Sequence, residues 1–331
     1  MEIPKQFEGR GLLTLTDLTD GELLQMLDLA AALKQKKYAG ERGERLDRKN
    51  IALIFEKMST RTRCASAVAA ADEGGSTEYL SLHDIHLGKK ESVADTARVL
   101  GRMFDGILFR GFKQETVELL AKHSGVPVWN GLTDDHHPTQ SLADLLTIRE
   151  KFGRLRGLKV VYVGDGRNNV AISLMLACAK TGIHFVNCAP RKLEPGGKIL
   201  KWCVERAQFN GGSVTVVNDP TEAVVGANVI YTDVWVSMGE EDKKAERIAL
   251  LRPYQVNMDM MRLTGNLESD EVIFLHCLPA FHDTHTDVSK ESGALEVTDD
   301  VFEAPFSKVF DEAENRMHTI KALLVGALAK R

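Results

Sequence analysis

Short apolar runs, bounded by glycine, proline or polar clusters, alternate along the chain with stretches whose apolar residues recur every three or four positions. The first spacing suits strands buried on both faces, and the second suits helices that cover them. In the first half, NIALIFEK (50–57), STEYLSL (76–82), GILFRG (106–111) and VPVWNG (126–131) read as strands. Between them, TRCASAVAAADEGG, ESVADTARVLGRM and QETVELLAKHSG carry helical periodicity, two of them with glycine stops. The second half repeats the plan with LKVVYVGDG (158–166), HFVNCAP (184–190), SVTVVND (213–219), NVIYTDVW (228–235) and VIFLHCLP (272–279).

This alternation predicts an α/β fold of two Rossmann-like lobes, each a parallel sheet covered by helices. The helical TQSLADLLTIREKFG gives way to RLRG and a new strand near residue 150, which divides the chain into 1–150 and 151–311. The amphipathic segment 312–331, containing AENRMHTIKALLVGALAKR, is expected to pack back on the first lobe. Ligands of open α/β sheets bind beyond the carboxyl ends of strands, so polar clusters there are the candidates for chemistry, in a site between the lobes.

The densest such cluster is Ser59-Thr60-Arg61-Thr62-Arg63, between a buried strand and an alanine-rich helix. Unpaired N–H groups and the helix dipole favour an anion at a helix start. Hydroxyls add donors, and an arginine fork matches phosphate oxygens two at a time. Arg110 ends one strand and His137-Pro138-Thr139-Gln140 follows another, so both can reach a carbonyl oxygen on which charge develops. Asp233 at a strand end is an acceptor suited to an ammonium group, Asn169 offers an amide to a carboxylate, and Cys277 follows an apolar strand beside His276. Gly164-x-Gly166 tempts a dinucleotide reading, and a nicotinamide-dependent dehydrogenase is the rival it raises. The third glycine position holds Asn169, Arg167 crowds the turn, and no acidic residue clearly ends the next strand. His282 and His285 show no companion ligand in the sequence and read as loop residues.

Composition narrows the classes further. The 331 residues carry a net charge of −5 without a basic stripe, which disfavours nucleic acid as a partner. No apolar stretch reaches bilayer length, and the N-terminus lacks the apolar core of a signal peptide, so a cytoplasmic location away from membranes is expected. The five cysteines are odd in number and widely spread, without zinc-like spacing. Cys64, Cys178, Cys188 and Cys203 are read as reduced core thiols, and no metal is expected.

STRTR at 59–63, HPTQ at 137–140, DGRNN at 165–169, DVWVSMG at 233–239, HCLP at 276–279 and ENRMHT at 314–319 occur in that order. The ordered set resembles the ornithine carbamoyltransferase family, within the aspartate/ornithine carbamoyltransferase superfamily, and covers essentially the whole chain. The resemblance implies a carbamoyl phosphate lobe (1–150 with 312–331) and an ornithine lobe (151–311). It also implies assembly in trimers or multiples of trimers, and formation of L-citrulline and phosphate in arginine metabolism without metal or organic cofactor. By the same resemblance, Ser59, Thr60, Arg61 and Thr62 hold phosphate, while Arg110, His137, Pro138, Thr139 and Gln140 serve the carbamoyl side. Leu278 offers its backbone carbonyl to the carbamoyl amine, and Arg316 helps to fix the group. His86 reaches a neighbouring subunit's site. Asn169 and the backbone of Met238 take the ornithine α-carboxylate, Asp233 and Ser237 its α-amino group, and Cys277 lies beside the δ-amine. A carbamoyltransferase for another amine, such as putrescine, is the nearest alternative.

Overall fold

The nine apolar runs become nine parallel strands in the computed structural model, which describes residues 3–236, 244–287 and 289–329. The chain divides into two units, Met1–Leu146 with Glu314–Arg331, and Thr147–Ala313. The first unit holds β1 (Asn50–Phe55), β2 (Ser76–Ser81), β3 (Gly106–Arg110) and β4 (Val128–Leu132), in the order β2-β1-β3-β4. Five consecutive residues of β1 and all of β3 and β4 are buried, as strands covered on both faces must be. Register decides what meets at the sheet's carboxyl edge. Phe55 pairs with Arg110, so the chain leaving β1 toward Ser59 and the arginine ending β3 emerge side by side.

Helices α1 (Asp20–Tyr38), α2 (Thr60–Ala71), α3 (Val93–Met103), α4 (Gln114–Ser124) and α5 (Pro138–Phe152) accompany this sheet. The 19-residue α1 is an element that the apolar pattern did not mark; its sequence signal is the capping box of Thr19 and Glu22. The last helix, α13 (Val309–Leu328), packs on the first unit as its amphipathic pattern predicted. Lys321, 1% exposed, places Nζ 2.6 Å from Asp72 Oδ2 beyond α2, and the Gly9 N–H donates to the Ala327 carbonyl at 3.0 Å.

The second unit orders β5 (Lys159–Val163), β6 (His184–Cys188), β7 (Ser213–Val217), β8 (Val229–Thr232) and β9 (Ile273–His276) as β7-β6-β5-β8-β9. Its helices are α6 (Asn169–Thr181), α7 (Gly197–Phe209), α8 (Pro220–Ala223), α9 (Lys244–Leu251), α10 (Met258–Leu263), α11 (Ser289–Ser292) and α12 (Asp299–Phe302). Strand order reverses between β5 and β8, and an α/β sheet opens a crevice at such a reversal. The turns after β5, β8 and β9 carry Asp165–Asn169, Asp233 and Cys277, so topology gathers three sequence candidates at one edge. No described helix is long and apolar enough to cross a membrane.

The turn from β5 into α6 needs both of its glycines. Gly164 has φ 145°, where side chains are strained, and a Cβ on Gly166 would lie 2.1 Å from Asn187 Oδ1. Asn187 in turn donates to the Gly166 carbonyl at 3.1 Å, so the close approach is itself hydrogen-bonded. Gly166→Ala is therefore expected to cost about 1 to 3 kcal/mol of stability. Urea unfolding monitored by circular dichroism should show a lower midpoint with an unchanged slope.

Candidate functional site

In the first unit the candidate anion cradle begins with backbone capping. Ser59 is the N-cap of α2, and its side chain accepts from Thr62 N–H at 3.2 Å. Thr62 turns inward, where it is fully buried. Thr62 Oγ1 accepts from Arg316 Nη2 at 2.9 Å and from Arg110 Nη1 at 3.4 Å. With both lone pairs engaged, the Thr62 hydroxyl has its proton left to donate. Arg110 and Arg316 are 8% and 2% exposed, Arg61 is half-buried, and Thr60 is exposed.

Arg316 also orders the start of α5. Its Nη1 donates to Gln140 Oε1, and Gln140 Nε2 donates to Asp144 Oδ1 at 2.9 Å, which fixes the orientation of the amide. The same Nη1 lies 3.4 Å from His137 Nε2. A guanidinium can only donate, so Nε2 accepts and the ring proton sits on Nδ1, 3.5 Å from Thr139 Oγ1. Thr139 passes the chain on to the Gly131 carbonyl at 3.4 Å, and Pro138 opens the helix, where a missing N–H costs nothing. In this arrangement Nε2 is an acceptor, so donation from Nε2 to a carbonyl oxygen requires the other tautomer. Burial, and after it the positive charges of Arg316, Arg110 and Arg61, hold the imidazole well below its ordinary pKa.

In the second unit, Asp233 follows β8 and is buried. Its Oδ2 accepts from Asn168 Nδ2 at 2.8 Å, and its Oδ1 from Cys277 Sγ at 3.0 Å and Val234 N–H at 2.8 Å. Asn168 was not among the sequence candidates. It caps α6 through Ala171 N–H at 2.8 Å and so ties that helix to Asp233, while Asn169 occupies the helix's first turn half-buried. Asp165 takes Arg247 of α9 and the Arg167 N–H, the latter at 3.0 Å. Leu278 adopts φ 58°, a conformation uncommon outside glycine, and its N–H donates to His276 Nδ1 at 2.8 Å.

Several candidates stand differently from expectation. His86 is exposed between β2 and α3, and its side chain makes no hydrogen bond among the described residues. Ser237 and Met238 lie outside the described residues. Cys64 is exposed on α2 and is not a core thiol, whereas burial pushes Cys188 and Cys203 up to about 12. His282 and His285 do have companions. His282 Nδ1 is 2.7 Å from Asp299 Oδ1, His285 Nδ1 is 2.8 Å from Asp283 Oδ2, and Glu303 lies near the first pair. Asp299 and Glu303 come from a separate segment, so sequence spacing does not reveal the first pairing, whereas Asp283 is two residues from His285. The buried partners Asp144 and Arg247 likewise carry no local motif, whereas Asn168 stands within the DGRNN run as a helix cap.

The depression of the His137 pKa has a definite sign. The folded chain resists protonation of this ring while the unfolded chain accepts it near the ordinary 6.5, so its contribution is complete above that value and is lost as the pH falls below it. His137 ring resonances should stay at their neutral position between about pH 8 and pH 6, on either side of the ordinary histidine value. A midpoint near 6.5 for the assigned His137 resonance would show that the arginines do not act on it.

Both units match known families. Residues 10–150 match the aspartate/ornithine carbamoyltransferase carbamoyl-P binding domain, and residues 156–326 the Asp/Orn binding domain of the same family. A catabolic ornithine carbamoyltransferase of Bacillus licheniformis is 58% identical over 327 residues, 97% of each chain. An ornithine carbamoyltransferase of Streptococcus pyogenes is 55% identical over 328 residues, 97% of this chain and 96% of that one. Among solved structures, ornithine carbamoyltransferase from Pyrococcus furiosus superposes with a TM-score of 0.90 at 45% identity, covering 97% of this chain and 98% of that one. With both domain models matched in order and relatives this similar along nearly the full length, the chain belongs to the aspartate/ornithine carbamoyltransferase family.

Proposed function

We propose that this chain transfers the carbamoyl group of carbamoyl phosphate to the δ-amine of L-ornithine, giving L-citrulline and phosphate, through the residues described above. The observation that carries the assignment of roles is the convergence of Arg110, Arg316 and His137 around Thr62 at the start of α2. A dianionic phosphate fits a place where buried guanidinium groups, helix N–H groups and a donating hydroxyl meet. Ser59, Thr60, Arg61 and Thr62 serve the phosphate. Arg110, His137, Pro138, Thr139, Gln140 and Arg316 frame the carbamoyl side, and Leu278 offers its carbonyl to the carbamoyl amine.

On the ornithine side, Asp233 is a buried carboxylate already held by two neighbours, Asn168 and Cys277, and suits the α-ammonium. Asn169 serves the α-carboxylate and Cys277 the δ-amine, and the assignment extends to Ser237 and Met238. The δ-amine resembles that of lysine, with an ordinary pKa of about 10.4, and attacks only when neutral. Neighbouring guanidinium groups disfavour an added positive charge and so favour the neutral amine.

Attack on the carbamoyl carbon pushes an electron pair onto the carbonyl oxygen, and collapse of that oxyanion expels phosphate. Arg110, Arg61 and the Thr62 hydroxyl donate to the oxyanion, each such donor worth roughly 3 kcal/mol in a dry site. His137 joins them only as the Nε2–H tautomer, reached when Arg316 Nη1 exchanges its ring contact for a substrate oxygen. The departing phosphate is a suitable acceptor for the amine's proton. Orientation of the two substrates supplies a large further share.

The direct test is citrulline formation from ornithine, compared with product from putrescine and N-acetylornithine at one carbamoyl phosphate concentration. Ornithine should be preferred, and equal use of putrescine would remove the roles of Asp233 and Asn169. Arg61→Gly is expected to lower kcat by about 100-fold or more with an unchanged circular dichroism spectrum. Asp233→Asn should raise the KM for ornithine about 30-fold, the equivalent of about 2 kcal/mol for a broken charge pair, and leave that for carbamoyl phosphate within twofold. Equal losses for both substrates would refute the division of labour.

The active assembly is proposed to be a trimer in which His86, exposed on its loop, serves the site of a neighbouring subunit. Light scattering should give three times the 36.6 kDa chain mass, or a multiple of that. Mixing inactive Arg61→Gly and His86→Ala chains should restore part of the activity through hybrid sites. No recovery in verified hybrids would confine His86 to its own chain.

A further inference from the structure

The segment that follows β9 carries Cys277 and Leu278, contains a cis Leu278–Pro279 peptide bond, and is also supported from outside itself. The supports come from two fully buried side chains, His276 and Glu296. The Leu278 N–H donates to His276 Nδ1 at 2.8 Å, so that nitrogen is an acceptor and the ring proton belongs on Nε2. Nε2 lies 3.3 Å from Glu296 Oε1, outside good hydrogen-bond alignment but beside the carboxylate. The same Oε1 accepts the Phe281 N–H at 2.7 Å.

Glu296 is itself held by the backbone on either side. The Leu295 N–H donates to the Phe281 carbonyl at 2.8 Å, and Val256 N–H donates to the Glu296 carbonyl at 2.9 Å. Phe281 is therefore clamped at both its N–H and its carbonyl, while His276 pins the other end of the segment at Leu278. His276 is also tied through its own N–H, which donates to Glu312 Oε2 at 2.9 Å. Leu278 sits at φ 58°, a left-handed conformation that persists only where its surroundings enforce it.

We propose that Glu296 is a positioning residue for the reaction: through His276 and Phe281 it sets the direction of the Leu278 carbonyl and the place of the Cys277 thiol. The proposal deepens the carbamoyl-transfer reading and rests on it. A carboxylate buried this completely has no solvating role, and burying it is costly without hydrogen bonds to return the loss. Its oxygen faces two groups, and both belong to the segment that presents Cys277 and Leu278. When this support is removed, the peptide after Cys277 can relax toward an ordinary backbone conformation, which swings the Leu278 carbonyl away. A displacement of about 1 Å at a reacting group can cost about 100-fold in rate.

The test compares Glu296→Ala and Glu296→Gln, with unfolding temperature measured beside kcat and both KM values for citrulline formation. Wild-type turnover of ornithine checks the underlying reading separately; its absence would sink that reading rather than this one. Glu296→Ala is expected to lose about 100-fold in kcat, with the KM for ornithine changed less than fivefold. Glu296→Gln keeps an Oε1 acceptor for Phe281 N–H and should recover at least half of that loss on a logarithmic scale. A folded Glu296→Ala protein with kcat within threefold of wild type overturns the proposal, as does Glu296→Gln no better than Glu296→Ala. Should Glu296→Ala fail to fold, His276→Asn and His276→Phe decide the matter, because the asparagine Oδ1 can still accept the Leu278 N–H. At least tenfold higher kcat for His276→Asn than for His276→Phe supports the mechanism, and equal rates reject it.

Discussion

Burying guanidinium groups near one another is unfavourable unless hydrogen bonds or an anion compensate, and the first unit is organised around that constraint. Arg110 ends β3, Arg316 projects from α13, and both donate to the single buried hydroxyl of Thr62. Each ion taken out of water costs several kcal/mol even after relaxation. Part of that cost is offset by neutral acceptors, namely Thr62, the Gln140 amide oxygen and His137 Nε2. The phosphate proposed for this place would add the opposite charge and offset more of that cost. The neutrality of His137 follows from burial first and then from the same positive surroundings.

The second unit solves a different electrostatic problem, because its candidate ligand brings an ammonium and a carboxylate. Asp233 is kept buried by Asn168, Cys277 and its own backbone neighbour Val234. These donors are neutral, and neither of the side-chain donors, Asn168 and Cys277, is an arginine or lysine. Asp165, by contrast, is committed to Arg247 and Arg167 and serves the turn that presents Asn168 and Asn169. Two aspartates at neighbouring strand ends thus have separate tasks, set by whether their partners are charged. The buried Glu296 and Glu312 act on backbone instead, at Phe281 and His276.

Family membership and local chemistry meet most directly at Thr62, Arg110, His137, Gln140 and Arg316. These residues come from four separate parts of the chain, and hydrogen bonds join them within one unit. Their convergence depends on strand register and on the packing of α13, whose Lys321 is buried against Asp72.

The strands, the parallel α/β class, the packing of the C-terminal helix and the helix start at Ser59 were legible in the sequence, because burial on both faces and helix capping leave local, periodic marks. The helix Asp20–Tyr38 was marked only by its cap. What side chains donate to, and which nitrogen of His137 or His276 carries the proton, depended on residues far away in the chain, as in the donation of Arg316 to Thr62, 254 positions apart. The exposure of Cys64 and the carboxylate beside His282 likewise became visible only on folding. A one-dimensional pattern records which face of an element is buried. Tertiary packing decides which distant polar atoms share that buried space, and those pairings set protonation, orientation and hence chemistry.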